Sequence, residues 1–267
     1  MNKIISSFCL FLLPVLLLGQ NEHPVKFDKS GITHEVVVID ASYQKDMVYT
    51  NGQPNAAYSR LKDTVNSLAQ RHDKMMLVPV GTLPNFLPYH NNQRGQLSNF
   101  LLDMMMATCP TLFKNELHGQ PISFAILNFG GIRSQLPSGV VTKLDIYDVL
   151  PFDNTPALVR MKGSEVRKIF ENFVKLDSKK NEKFLKEEAY SRQVELTYDN
   201  FVLTDVKIGG KPLDPEAYYW FVTLDFIALN GGDAILTSSN YSPDKDVHAC
   251  PTLMRWLLED YIRNHYN

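Results

Sequence analysis

Asn128-Phe129-Gly130-Gly131-Ile132-Arg133 is the stretch on which the reading of this chain turns. It follows residues 121–127, a short apolar run that marks a strand. Paired glycines after a strand let backbone approach a ligand closely, and Arg133 adds a planar, permanently charged fork suited to an oxyanion, phosphate first of all. A tight turn carrying an exposed arginine accounts for the hexapeptide equally well.

Downstream, Leu150-Pro151-Phe152 projects an aromatic ring from a stiffened loop, an arrangement that is usually core. Residues 164–176 space Val166, Ile169, Phe170, Phe173 and Val174 as the inner face of a helix, and 179–188 read as a solvated charge run. Strands are expected at 193–198, 202–208 and 218–223, the first two followed by the Gly209-Gly210-Lys211-Pro212 turn. Residues 223–230 read as apolar strand running into Gly231-Gly232-Asp233, where Asp233 could accept bonds from sugar hydroxyls or brace its own turn. Residues 251–261 close the chain as a helix with Leu253, Leu257 and Leu258 inward.

Upstream, Leu97, Phe100, Leu101, Met104 and Met105 have helical spacing that continues to about Leu112, with the methionines read as core filler. A helix over 56–72 leads into a strand over 75–80, and the β-branched residues of 31–40 suggest one more strand. Helices and strands mix without strict alternation, so the expected fold class is α+β, one domain with a mixed sheet and packed helices. Residues 21–72 are read as a strand-and-helix extension of the domain formed by 73–267.

Lys3, the apolar residues 4–18 and Gly19-Gln20 have the order of a secretory signal, so the protein is expected to be exported, periplasmic or extracellular. The apolar run is interrupted by Pro14 and falls short of the roughly 20 residues of a membrane-spanning helix. A cut after Gln20 removes one lysine, leaving 26 basic against 29 acidic residues, a balance that gives no nucleic-acid surface. Cys109 and Cys250 remain, either paired or as two separate thiols. The seven histidines show no metal-ligand spacing, and neither a Gly-x-Ser-x-Gly elbow nor a Walker loop occurs.

Taken in order, Asn-x-Gly-Gly-x-Arg, Pro-Phe some way on, Gly163-Ser164, Tyr198-Asp199 and Phe226 before Gly231-Gly232-Asp233 resemble the C-terminal, substrate-binding domain of the 5'-nucleotidase and UDP-sugar hydrolase family. The resemblance runs from Asp73 to Asp233. It implies that Phe152 and Phe226 sandwich a nucleobase, that Asn128 and Arg133 face phosphate beside Gly130 and Gly131, and that Asp233 binds ribose beside Gly231 and Gly232. Arg94 matches a further family arginine. The chain departs from the family at Arg192 and Gln193, which stand where a glycine pair usually backs the base pocket. It also carries one more residue than usual between Phe226 and the Gly-Gly-Asp turn, and Ala234 after it.

The family's hydrolysis runs on two metal ions held by an N-terminal phosphoesterase domain, whose Gly-Asn-His motif does not occur here. The resemblance therefore implies a nucleotide- or nucleoside-binding domain with no catalytic residue, metal site or cofactor of its own. Its partner would be a separately encoded metallophosphoesterase holding the divalent ions. The alternative is a free-standing exported protein that binds nucleosides or nucleotide sugars without a catalytic role.

Overall fold

A computed structural model describes residues 49–50, 53–54, 56–90, 94–186, 188–230, 236 and 246–267. The strand expected at 31–40 and the Gly231-Gly232-Asp233 turn lie outside the described residues. The chain divides into two compact units, residues 1–72 and 73–267. The first contributes a two-residue pair, β1 (Tyr49–Thr50) and β2 (Gln53–Pro54), and most of helix α1 (Ala56–Met76). Helix α1 runs through Asp73 to Met76, so the strand expected from Met75 begins only at Pro79. Val65, on the stripe that predicts this helix, is about half exposed.

The second unit is built on a five-stranded mixed sheet in the order β14-β6-β13-β4-β9. Its strands are β4 (Phe124–Leu127), β6 (Pro156–Lys162), β9 (Ala189–Tyr190), β13 (Tyr218–Leu224) and β14 (Val247–Ala249). β4 and β13 run parallel, with Phe124 opposite Phe221 and Ala125 opposite Val222, while the remaining neighbours are antiparallel. Both central strands are continuous apolar runs, the pattern of strands buried on both faces. On one face the Phe124 and Phe221 rings stack at 4.7 Å, and Phe124 meets Phe170 of helix α5 (Gly163–Glu171) at 5.8 Å. Helix α2 (Gln96–Leu112) packs against β4 and β9 and buries Leu101, Leu102, Met104 and Met105 completely. Burial also pushes the Cys109 thiol of α2 up to about 12. Cys109 and Cys250 are both free thiols.

Around this core lie short elements. β3 (Pro79–Leu83) pairs with β5 (Gly139–Thr142), and α3 (Lys114–Leu117) extends the end of α2. α4 (Lys143–Val149) follows β5 and leads into Pro151. Its start is fixed by a capping box: Asp145 Oδ2 accepts from Thr142 N at 2.7 Å, and Thr142 Oγ1 from Asp145 N at 3.4 Å. Helix α5 stops at Glu171 rather than Leu176, because Val174–Asp177 (β7) folds back on Glu182–Leu185 (β8). The charge run as far as Leu185 is thus a hairpin and exposed as expected, whereas Glu188 at its end is buried. β10 (Val194–Asp199), β11 (Val202–Ile208) and β12 (Lys211–Pro212) form an antiparallel meander. Residues 225–230 are not strand but helix α6 (Asp225–Asn230), and the C-terminal helix α7 spans Met254–His265 with Leu257, Leu258 and Ile262 buried. The result is the expected α+β class with a mixed sheet.

Candidate functional site

Because β4 and β13 are parallel, the chain leaves both at the same end of the sheet, and the candidate residues gather there. After Leu127 the backbone makes a single 3₁₀ turn, Phe129–Gly131, closed by Gly131 N–H to Asn128 O at 3.2 Å and Ile132 N–H to Phe129 O at 3.0 Å. Asn128 and Gly131 are buried, Gly130 and Arg133 exposed. A Cβ on Gly131 would stand 3.0 Å from Asn128 Oδ1, so the second glycine is what lets the asparagine side chain lie across the turn. Glu188 holds the turn from behind: its Oε2 accepts from Phe129 N at 2.9 Å, and Lys186 Nζ lies 3.6 Å from its Oε1.

Arg133 is fixed by its backbone N–H to Val149 O, 3.0 Å, while its guanidinium lies 5.7 Å from the Phe152 ring centre. Phe152 is 45% exposed on the loop after α4, so it is a displayed ring rather than core. Asn128, Gly131 and Phe152, with Leu150, Leu224 and Met254 as apolar walls and Asn154 beside them, line a solvent-open cleft of about 310 Å³.

Phe226 is 40% exposed and stands second on α6. It is tied to the Phe152 loop through its neighbour: Asp225 Oδ1 accepts from Thr155 N at 3.0 Å and from Phe226 N at 2.8 Å, and Asp225 N–H donates to Thr155 O at 2.9 Å. Arg255 of α7 reaches the same loop, donating through Nη1 to Phe152 O at 3.0 Å and Pro151 O at 3.4 Å and pairing through Nη2 with Asp153.

Arg94 lies apart from that cleft, its guanidinium 3.9 Å over the Tyr190 ring. Its neighbour Gly95 lines a second hollow of about 180 Å³ with Tyr89, His90, Ser98 and Phe129, Ile132 being common to both. Arg192 and Gln193 line neither hollow. Arg192 instead pairs with Asp103 on α2, Nε to Oδ1 at 3.1 Å, and Gln193 O accepts from Gly209 N at 2.8 Å. Among the described residues no group of three or more His, Cys, Asp or Glu is placed to hold a metal ion, and no helix is long and apolar enough to cross a membrane.

The structure therefore brings together Asn128, Gly130, Gly131, Arg133 and Phe152, links Phe226 to them and sets Arg94 to one side. Thr155, Asp225, Glu188 and Arg255 are site residues that the sequence reading missed. Arg255 was legible as a charge spaced with Leu258 and Ile262 on an inward stripe, whereas Asp225 stood inside an apolar run read as strand. Glu188 carries no such mark within its charged run.

The family model for the 5'-nucleotidase C-terminal domain matches residues 79–238. Human 5'-nucleotidase is 41% identical over 63 residues, 22% of this chain and 11% of that protein. Endonuclease YhcR of Bacillus subtilis is 33% identical over 81 residues, 30% of this chain and 6% of that protein. The crystal structure of a 5'-nucleotidase precursor from Thermus thermophilus superposes with a TM-score of 0.57 at 23% identity, over 80% of this chain and 41% of that one. The chain thus corresponds to less than half of each of these proteins. The family match takes in the hexapeptide turn, the Pro-Phe loop and α6, and it covers more than half of the sequence: this chain belongs to the family of 5'-nucleotidase C-terminal domains.

Proposed function

We propose that the cleft binds a nucleoside or nucleotide, with its base between Phe152 and Phe226, and that the protein works with a separately encoded metallophosphoesterase in the breakdown of 5'-nucleotides. The observation that carries this reading is the pair of hydrogen bonds between Thr155 and Asp225, which joins the Phe152 loop, on the cleft, to the start of α6, where Phe226 is displayed. Stacking on such rings is tolerant of base identity and contributes about 1–3 kcal/mol per base. Arg133, whose guanidinium lies 5.7 Å from the Phe152 ring centre, and Asn128 are assigned to the phosphate, one as a charged fork and the other as an amide donor. Gly231, Gly232 and Asp233, which follow α6, are assigned to the ribose.

Hydrolysis in this scheme needs divalent ions to activate water, and the described residues offer no ligand set for them. This chain's own part is to bind and orient: stacking fixes the base, and Arg133 stabilises charge on the phosphoryl group. The apolar N-terminal run supports export, placing the encounter with nucleotides outside the cytoplasm.

Calorimetry of the full chain against AMP, UMP and adenosine tests the binding claim. Micromolar to millimolar binding that Phe152→Ala and Phe226→Ala each weaken about five- to 150-fold, the worth of one stacked base, is the expected result. No heat at millimolar ligand, or binding indifferent to both changes, overturns it. Turnover of AMP by the purified chain with added divalent metal, unaffected by Phe226→Ala, would sink the division of labour with a partner.

A further inference from the structure

Arg255 lies beyond residues 79–238, the part of the chain that the family match covers, yet it is the side chain most heavily committed to the Phe152 loop. Its guanidinium is 9% exposed, lies 4.7 Å over the Tyr147 ring of α4, and holds three successive residues: the carbonyls of Pro151 and Phe152 and the carboxylate of Asp153. Among the described residues its Nε has no hydrogen-bond partner. Burying a guanidinium with one donor left over is costly, and a well-packed apolar side chain at such a place is often as stable or more so. The Asp153 side chain is 79% exposed, so the ion pair is open to water on that side. What the guanidinium accomplishes and an apolar side chain cannot is to grip two consecutive carbonyls in a fixed fork, and so to set the direction in which Phe152 leaves the backbone. The neighbouring Met254 makes the attachment continuous with the cleft: its side chain lines the wall and its N–H donates to Asn154 O at 2.9 Å.

We propose that Arg255 is a positioning residue: from the C-terminal helix it fixes the Phe152 ring in the orientation that stacks on a base. This rests on the nucleoside-binding reading above. Two measurements on the full chain separate the proposal from that reading. The first is AMP binding across Phe152→Ala, Arg255→Met and the double variant, with Arg255→Lys as the conservative control. If Arg255 acts through Phe152, Arg255→Met loses most of the roughly five- to 150-fold that removing the ring loses. In the Phe152→Ala background it then costs no more than about twofold further. Arg255→Lys, which retains charge and a donor, recovers part of the affinity. Full additivity of the two changes, or Arg255→Met binding AMP as the native chain does, overturns the proposal.

The second measurement needs no ligand. With a fluorine label on the Phe152 ring, Arg255→Met is expected to shift or broaden the ¹⁹F resonance while the melting temperature stays near the native one. An unmoved resonance overturns the proposal even if no nucleotide binds. Loss of AMP affinity in Arg255→Met with Phe152→Ala still binding normally would instead reject the stacking reading and the proposal with it.

Discussion

Thr155 and Asp225 bond each other twice, the amide of each donating to the other, once to a carbonyl at 2.9 Å and once to a carboxylate at 3.0 Å. One residue lies three positions after Phe152, the other one position before Phe226. Removing the carboxylate leaves the Thr155 and Phe226 amides without their acceptor. Asp225→Ala is therefore expected to cost about 1–3 kcal/mol in denaturant unfolding, the usual cost of a lost acceptor, and to weaken AMP binding. Asp225→Asn, which retains the acceptor oxygen, should do much less of both. Equal behaviour of the two variants would show that the acceptor is not what matters.

Gly163 and Gly131 should respond differently to an added methyl group. A Cβ at Gly163 would lie 2.0 Å from the backbone oxygen of Asp214, which has no room to yield. Gly163→Ala is expected to destabilise by roughly 3 kcal/mol or more, measured by urea unfolding. A Cβ at Gly131 meets the tip of the Asn128 side chain at 3.0 Å, and that tip can rotate. Gly131→Ala should leave stability nearly unchanged and show its effect in ligand affinity.

Glu188 accepts the Phe129 amide from a buried position. Glu188→Ala leaves that amide without its acceptor, at a cost of about 1–3 kcal/mol. Glu188→Gln retains an acceptor and should recover most of it. Thermal unfolding of the three proteins at one pH tests the ordering, and an alanine variant as stable as the native chain would refute it.

Burial raises the Cys109 thiol from 9.0 to about 12. Between those values the unfolded chain has lost the proton that the folded chain retains, so stability is complete below pH 9 and declines as pH rises toward 12. Tyr261 is also raised, chiefly by burial, and adds a slope of the same sign. Comparing native and Cys109→Ala proteins cancels that common part. The native chain should lose more stability than the variant between pH 8.5 and 10.5, and parallel pH profiles would contradict this.

What the sequence revealed was set by the range of the interactions involved. The hexapeptide turn and the mixed α+β class are consequences of local pattern, and both stand in the structure; the exposure of Phe152 and Phe226 is not such a consequence, since their local sequence reads as core and strand. α4 was missed although Thr142-x-x-Asp145 is a capping box, because its seven residues are too few to show a period. Residues 223–230 read as one strand because Leu224, Ile227 and Ala228 are all buried apolar residues. The change to helix at Asp225 depends on its bonds to Thr155, seventy positions away. Leu176 was assigned to α5 on apolar spacing, whereas it is exposed on a hairpin whose register is fixed by cross-strand pairing. Arg192, which the resemblance sets at the back of the base pocket, pairs with Asp103, a partner that nothing in its neighbourhood along the chain announces.

The parallel pairing of β4 with β13 has a consequence for how the binding capacity is distributed along the polypeptide. The glycine turn and the Phe152 loop precede the excursion through α5 and the β7–β12 strands, and α6 follows it. A chain opened at the β7–β8 hairpin would yield two fragments, each with part of the cleft and neither with both aromatic rings. Recovery of nucleotide affinity on mixing such fragments would report the docking of β13 between β4 and β6, which makes ligand capture a readout of sheet completion.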